Sequence, residues 1–490
     1  MKKITRRQAL AGSGMALAGA ALAGRNALSQ ANDPHAGHKM PGQMDHSQHG
    51  GHGDHSGHAM PATETPKVAE STTEVYRTPK GNPWYARTVD PDESFPPGEP
   101  GKDYTPVVVP NGEAAPFNIV GDIKVFHLTA SEFVHDFAPG YRAICWGYNG
   151  RTPGPVIEAV EGDNIRIYVT NKLAVPTTVH WHGIILPMGM DGVSGLTQRT
   201  IKPGETFRYE FKAVQHGTFM YHSHKDTMTQ EGMGLVGMLV IHPRKPKRQR
   251  PDRDFALMLH EWDIRPGTYR PNTIVSSGFN TLTINGKVFP GTAPLVAKLN
   301  EHVRIRIGNL SAMDHHPIHL HGYAFRETET DGGEIPEGSW RPETTVLVSV
   351  GQTRNIEFVA DNPGDWAMHC HMTHHVMNQM GHEIPNMVGA DSRALDGAVG
   401  NLVAGYMTMG TNGMIGMGQM AAHMDMPENS IPMVGAPGPY EYIGMGGMFT
   451  VFKVRETLAS YDDPGWYLPP KGTLVRAATQ EELQKDGIDV

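Results

Sequence analysis

Four histidine motifs in this chain carry ten histidines and one cysteine: His180-Trp181-His182-Gly183, His222-Ser223-His224, His316-Pro317-Ile318-His319-Leu320-His321-Gly322, and His369-Cys370-His371 followed by His375. Imidazole and thiolate suit copper, and two histidines with a cysteine and a weak axial methionine make a blue-copper electron-transfer site. On a strand, a His-x-His pair sends both rings out of one face toward a common metal. A single such pair is more often a surface accident or a pair of satisfied rings. Four of them, each flanked by Gly or Pro turns and apolar strand-like runs, reverse that balance and imply a multi-copper site.

In order and content these motifs resemble those of the multicopper oxidases, the family of laccases and bacterial copper-resistance oxidases. The resemblance covers roughly residues 105–385 and returns at 443–456. It implies that His316, Cys370 and His375 hold a mononuclear type 1 copper, with Met380, ten positions after the cysteine, as axial ligand. His180 and His319 would hold a type 2 copper, and His182, His222, His224, His321, His369 and His371 a type 3 pair, four coppers per functional site. Cys370 lies between two type 3 ligands, so the implied chemistry is one-electron oxidation of a substrate at one site and four-electron reduction of O2 to water at the other. Asp191, in Pro187-Met188-Gly189-Met190-Asp191-Gly192, matches a position where family members place a carboxylate beside the cluster, although Asp before Gly is also an ordinary turn residue. Some copper-resistance members carry Glu just before the last type 1 histidine. Here that residue is His374, which could relay protons near neutral pH or merely fill space.

The elements that must position these groups read as strands. Runs at 123–128, 165–170, 206–211 and 237–241, then 255–260, 303–307, 345–350, 353–358 and 448–454, are rich in β-branched and aromatic residues and bounded by Gly, Pro and Asn. No convincing amphipathic helix interrupts the first set. The expected fold is all-β, with two cupredoxin-like Greek-key β-sandwich domains at 105–243 and 254–456 joined by a solvated basic linker from Arg244 to Arg253. The stretch Asn149-Gly150-Arg151-Thr152-Pro153-Gly154-Pro155, followed by Glu161-Gly162-Asp163, also resembles the family's first cupredoxin domain. Only ninety-one residues separate His224 from His316, too few for an intervening domain. Two-domain members of the family build the oxygen-reducing cluster between subunits of a homotrimer, and the same assembly is expected here.

The ends and insertions add to this. Residues 1–30 resemble a twin-arginine export signal around Arg6-Arg7, which implies an exported or periplasmic protein with no membrane anchor after processing. Residues 31–104 read as a largely disordered His-rich linker, with seven histidines from His35 to His58 among small and polar residues. Residues 381–442 read as an insertion beside the type 1 site, rich in Gly and holding Met407, Met409, Met414, Met417, Met420, Met424, Met426 and Met433 with His423. Thioether sulfur favours Cu(I), although a pliable covering loop would have the same composition. Residues 457–490 extend the second domain. With Cys370 committed to metal, Cys145 is left as a small buried hydrophobe. A net charge of −9 gives no reason to expect nucleic acid.

The expected activity is therefore Cu(I) oxidation in copper tolerance, with O2 as acceptor. A laccase acting on small phenols or aromatic amines shares every ligand, and copper sequestration is a third reading. A copper nitrite reductase would place its blue-copper cysteine in the first domain, where this chain has His222-Ser223-His224.

Overall fold

The computed structural model describes residues 88–90, 92–274, 277–380, 391, 393–399, 402, 415–416, 418–419 and 426–489. Residues 1–30, which resemble an export signal, the histidines from His35 to His58, and Met407, Met409, Met414, Met417, Met420, His423 and Met424 lie outside the described residues.

The described chain is built from strands. In order they are β1 (Val107–Val108), β2 (Phe117–Val120), β3 (Ile123–Ala138), β4 (Tyr141–Tyr148), β5 (Gly154–Val160), β6 (Asn164–Asn171), β7 (His180–His182), β8 (Thr206–Lys212), β9 (Gly217–His222), β10 (Val236–His242) and β11 (Arg253–Trp262). There follow β12 (Thr281–Ile284), β13 (Leu295–Lys298), β14 (His302–Asn309), β15 (His316–Leu320), β16 (Phe325–Thr330), β17 (Gly333–Glu334), β18 (Pro342–Glu343), β19 (Thr345–Val348), β20 (Thr353–Val359), β21 (Gly364–Cys370) and β22 (Phe449–Arg455). Short helices α1 (Thr227–Gly232), α2 (Arg393–Val399) and α3 (Gln480–Lys485) are attached to this frame.

The strands form two sandwiches. The first packs the sheet β2-β3-β6-β8, with β4 on β3, against the sheet β5-β10-β9-β7. β6 shows why: in Asn-Ile-Arg-Ile-Tyr-Val-Thr-Asn the apolar Ile165, Ile167 and Val169 alternate with polar residues, and alternate positions are buried. They join Leu128, Ile157, Trp181 and Leu239 in one core. The second packs β1-β11-β14-β20-β16-β17, with β12 on β11 and β18 on β16, against β13-β22-β21-β15-β19 around Leu257, Ile305, Ile318, Ile356 and Phe452. β10 is buried along its whole length, because its second face meets the other sandwich through Met220, Met238, Val240, Ala256 and Met258.

Three local expectations change. Val107 and Val108 pair with Asp254 and Phe255, so the start of the first domain adds an edge strand to the second. Within 31–104 the last stretch is ordered: Gly98 N donates to Asp163 Oδ1 at 3.0 Å, and Tyr104 stacks on His242 at 4.2 Å. The basic linker is no free connector. Arg244 donates to Asp163 at 2.7 Å and lies over the Phe95 ring, while Arg248 donates to Glu357 at 2.8 Å and lies over Trp340. Buried carboxylates such as Asp163 and Glu357 need cations, and the linker supplies them.

The same junction holds Arg306, whose guanidinium bonds Asp254 through two nitrogens at 2.8 and 2.9 Å and donates to Thr218 of β9 at 2.7 Å. Removing one partner of such a buried pair leaves an uncompensated charge, so Asp254→Ala should destabilise the protein by ~3–5 kcal/mol in urea unfolding. A second clamp is His216, 3.1 Å from Glu161 of the first sandwich and 3.7 Å from Glu334 of the second. Burial opposes its charge, but the two carboxylates outweigh it and raise the ring from 6.5 to about 9. A folded-state value above the unfolded one means stabilisation that is complete below about 6.5 and lost as pH climbs through about 9. The stability difference between the native chain and His216→Gln should therefore shrink across that window by at most ~3 kcal/mol. A pH-independent difference would refute the assignment.

Candidate metal centre

β15 and β21 lie side by side and antiparallel, with Ile318 opposite Cys370 and His319 opposite His369. Alternation does the sorting. His316, Ile318, Leu320 and Cys370 turn into the second sandwich, while His319, His321, His369 and His371 turn the other way. β7 and β9 do the same in the first sandwich: His180 lies opposite His222 and His182 opposite Met220, with Trp181 in the core.

The inward group forms one compact set. His316 Nδ1 and His375 Nδ1 are 3.1 Å apart, and Cys370 Sγ lies 3.8 and 3.4 Å from them. Bonds of about 2.0–2.3 Å to a common ion put ligand atoms at about such separations, so the set fits a small metal site made of two imidazole nitrogens and one sulfur. The outer nitrogens are held from behind. Ser311 Oγ is 2.7 Å from His316 Nε2, and Asp314 Oδ2 is 3.4 Å from His375 Nε2, so both rings present Nδ1 to the site. Burial pushes the Cys370 thiol to about 12 and holds His316 well below its usual range, so the pocket offers neutral imidazole and a thiol that ionises only for a cation. Met380 is buried at the end of this loop. β22 pairs directly with β21, so residues 371–448 form a connection between adjacent strands. Asn378 anchors its two ends together, bonding Met433 O at 2.6 Å, Pro432 O at 3.0 Å and Gly447 N at 2.8 Å.

The outward histidines form two quartets. In the first, ring centroids of His180, His182, His222 and His224 lie 5.3–6.2 Å apart where the rings touch. In the second, His319, His321, His369 and His371 lie at 4.8–5.7 Å. Among the described residues no ring contact or hydrogen bond joins one quartet to the other. Both are open: His180, His182, His224 and His319 are part-exposed, and His321 and His371 exposed. Here too outer nitrogens are fixed, His180 Nδ1 by Asp191 O at 2.8 Å, His319 Nδ1 by Thr344 O at 2.7 Å and His369 Nδ1 by Cys370 O at 2.8 Å. Burial holds His180, His182, His321 and His369 below the usual histidine range, which keeps lone pairs available for metal.

Asp191 therefore backs His180, with its carboxylate 3.4 Å from the same nitrogen. Gly192 makes that approach possible: at φ +85° any Cβ would lie 1.7 Å from Val179 O. His374 packs edge-on against His375 at 4.3 Å, on the mononuclear side.

Sequence reasoning passes over four supporting groups. Ser311 and Asp314 hold the mononuclear histidines, and Glu261, with its carboxyl raised by burial and then by Asp314, stands behind Asp314. Glu231 of α1 lies 3.0 Å from His222 Nδ1; burial resists charge on that ring, and Glu231 outweighs it. The signals are slight: Asp314 precedes a motif by two residues and Glu231 follows one by seven, while Glu261 is distant in sequence. Outer partners of this kind contribute about 10–100-fold to metal affinity. Glu231→Ala should cost the first quartet a loss of that order in chelator competition, with the visible cysteinate-to-metal absorption unchanged. Loss of that absorption instead would contradict the assignment.

A multicopper oxidase family model matches residues 133–246 and a second one matches 263–389. Copper resistance protein A of Escherichia coli is 46% identical over 114 residues, 23% of this chain and 18% of that protein. Laccase-1 of Botryotinia fuckeliana is 34% identical over 239 residues, 46% of this chain and 41% of that protein. The chain thus spans well under half the length of these curated relatives. Blue copper oxidase from Nitrosomonas europaea, a crystal structure, is similar at TM-score 0.50 and 26% identity over 67% of this chain and 85% of that one. Both motif-bearing halves are matched, both sandwiches are cupredoxin-like, and the chain belongs to the multicopper oxidase family.

Proposed function

We propose that this is an exported copper oxidase that takes electrons at His316, Cys370, His375 and Met380 and reduces O2 at a trinuclear cluster shared between copies of the chain. The observation that carries the reading is the pair of open histidine quartets on one chain, with Cys370 between two members of the second. Copper in these sites would supply one-electron oxidation at the mononuclear position and four-electron reduction of O2 to water at the cluster. The chain's own part is to hold the ligands at fixed tautomers and to connect the sites covalently, since Cys370 is bonded on each side to a quartet histidine. Asp191 beside His180 would pass protons toward the cluster, and His374, packed on His375 at the mononuclear site, either relays protons or fills space there.

The first quartet with its type 2 member His180 faces, in the assembled protein, the second quartet with His319 from the next copy. A head-to-tail contact of this kind closes as a ring, here a homotrimer. Exposed Met188 and Leu196 in the stretch between β7 and β8, Met228 on α1, and Leu347 beside β15 supply apolar surface for that contact.

Cu(I) is the favoured electron donor. The similarity to copper resistance protein A supports it, as does the Met-rich composition of 381–442, in which the Met433 carbonyl accepts a hydrogen bond from the Asn378 backbone N–H of the loop that carries Met380. Asp314 behind His375, with the Glu261 carboxyl held protonated beside it, places an acidic group next to the electron-entry ligand, which suits a cation better than a neutral phenol. The similarity to a laccase keeps phenol oxidation as the second reading. The leading residues direct export through the twin-arginine route to the periplasm. No helix among the described residues is long and apolar enough to cross a membrane.

Steady-state oxygen uptake by the copper-loaded protein separates the donors. Chelator-buffered Cu(I) should support fast uptake and a small phenol slow uptake; the reverse order would make the protein a laccase, and uptake with neither would leave copper storage. Dilution below the trimer's dissociation concentration should abolish uptake while the visible cysteinate absorption persists. Full activity in a strict monomer would refute the shared cluster.

A further inference from the structure

Beyond β22 the chain first returns to the second sandwich and then leaves it. Lys453 Nζ reaches Asp463 at 2.6 Å and lies over the Trp466 ring. Arg455 donates to Gly465 O at 2.7 Å, and Tyr467 N donates to Asp365 at 2.7 Å. From Leu468 onward this stops. Among the described residues every hydrogen bond and ion pair made by 468–489 stays within that stretch.

The stretch is nevertheless structured. Thr479 and Glu482 form a reciprocal capping box at the start of α3, and Arg476 pairs with Glu482 across the helix entry. Pro469 and Pro470 stiffen its root. A polar tail would need no further account, but this one displays Leu468 at 85% exposure, Val475 at 98%, Leu474 at 48% and Ile488 at 49%. Apolar side chains on an ordered arm without a body beneath them mark a surface made to be covered.

The root of the arm says by what. Tyr467 is bonded to Asp365, which lies on β21 four residues before His369 of the second quartet, about 13 Å along the strand. The arm therefore departs from the strand that carries the half-site which, in the function proposed above, meets the next copy of the chain, and that half-site lies well within the arm's reach. With α3 kept as a helix it spans up to about 60 Å, enough to cross a neighbouring sandwich.

We propose that residues 468–489 are a strap that binds a second copy of this chain and holds the ring of subunits closed. The inference rests on the shared-cluster reading. Leu468, Leu474, Val475 and Ile488 are its contact residues, and the capping box keeps α3 formed for docking.

The test compares three copper-loaded proteins across a dilution series by mass photometry: the full chain, a chain lacking 468–490, and the full-length variant Leu468→Asp/Val475→Asp. The two substituted positions are exposed and bonded to nothing outside the arm, so that variant keeps its fold even if the deletion does not. The full chain should be trimeric, and both altered chains should dissociate at a concentration at least tenfold higher, with the cysteinate absorption retained. Amides of 474–488 should also exchange with deuterium at least tenfold more slowly in the trimer than in the diluted monomer. A trimer whose dissociation neither change shifts would overturn the strap and leave the shared cluster standing. A full chain that stays monomeric would overturn both.

Discussion

Successive side chains of a strand point to opposite faces, and in His369-Cys370-His371 that rule separates two kinds of metal chemistry by a single peptide unit. Cys370 turns into the second sandwich, toward His316 and His375; its neighbours turn out. The pairing of β21 with β15 repeats the division, since His316 faces in and His319 and His321 face out. A slip of one residue in this register would exchange the two sets and destroy both sites. The apolar partners Ile318, Leu320 and Met368 are buried on the inward side, so ordinary core packing enforces the register that the metal sites need.

Among the described residues that arrangement leaves the two quartets without a ring contact or hydrogen bond between them. The two sandwiches are tied by Arg306 to Asp254 and Thr218, by His216 to Glu161 and Glu334, and by the apolar layer around Met220 and Met258. A joint with so many buried polar partners does not rotate to bring one quartet onto the other without breaking them. Open imidazoles stay hydrated in a single chain at little cost. In the proposed assembly the second quartet of another copy completes their coordination.

The chemistry is legible because metal ligands on strands recur at short, regular spacing. The four motifs, the ligand cysteine and the nine strand runs all rest on local pattern, and alternation in β6 or β14 is readable from the residues alone. What escapes is non-local. Val107 and Val108 are too short a run to announce that they pair with β11, and nothing within the basic linker shows that Arg244 and Arg248 neutralise carboxylates from both sandwiches. Ser311 and Asp314 sit near a motif but bear on it only once the loop is folded, and Glu261 meets Asp314 across fifty-three positions. Asp191 draws notice in the sequence for its carboxylate, while its backbone carbonyl makes the shorter contact with His180. The methionines and the histidine of the Met-rich segment that lie outside the described residues bear on function through composition alone.

The central claim is that each oxygen-reducing cluster takes one quartet from one chain and the second from another. Its most direct test is complementation between two inactive variants, His180→Ala/His182→Ala and His319→Ala/His321→Ala, co-expressed in equal amounts and copper-loaded. Each alone should show no oxygen uptake. In mixed rings an interface joins an intact first quartet to an intact second one by chance, which predicts about a quarter of the native uptake. No uptake in the mixture, with mixed rings demonstrated by mass, would mean that both quartets of a working cluster come from the same chain and would contradict the account.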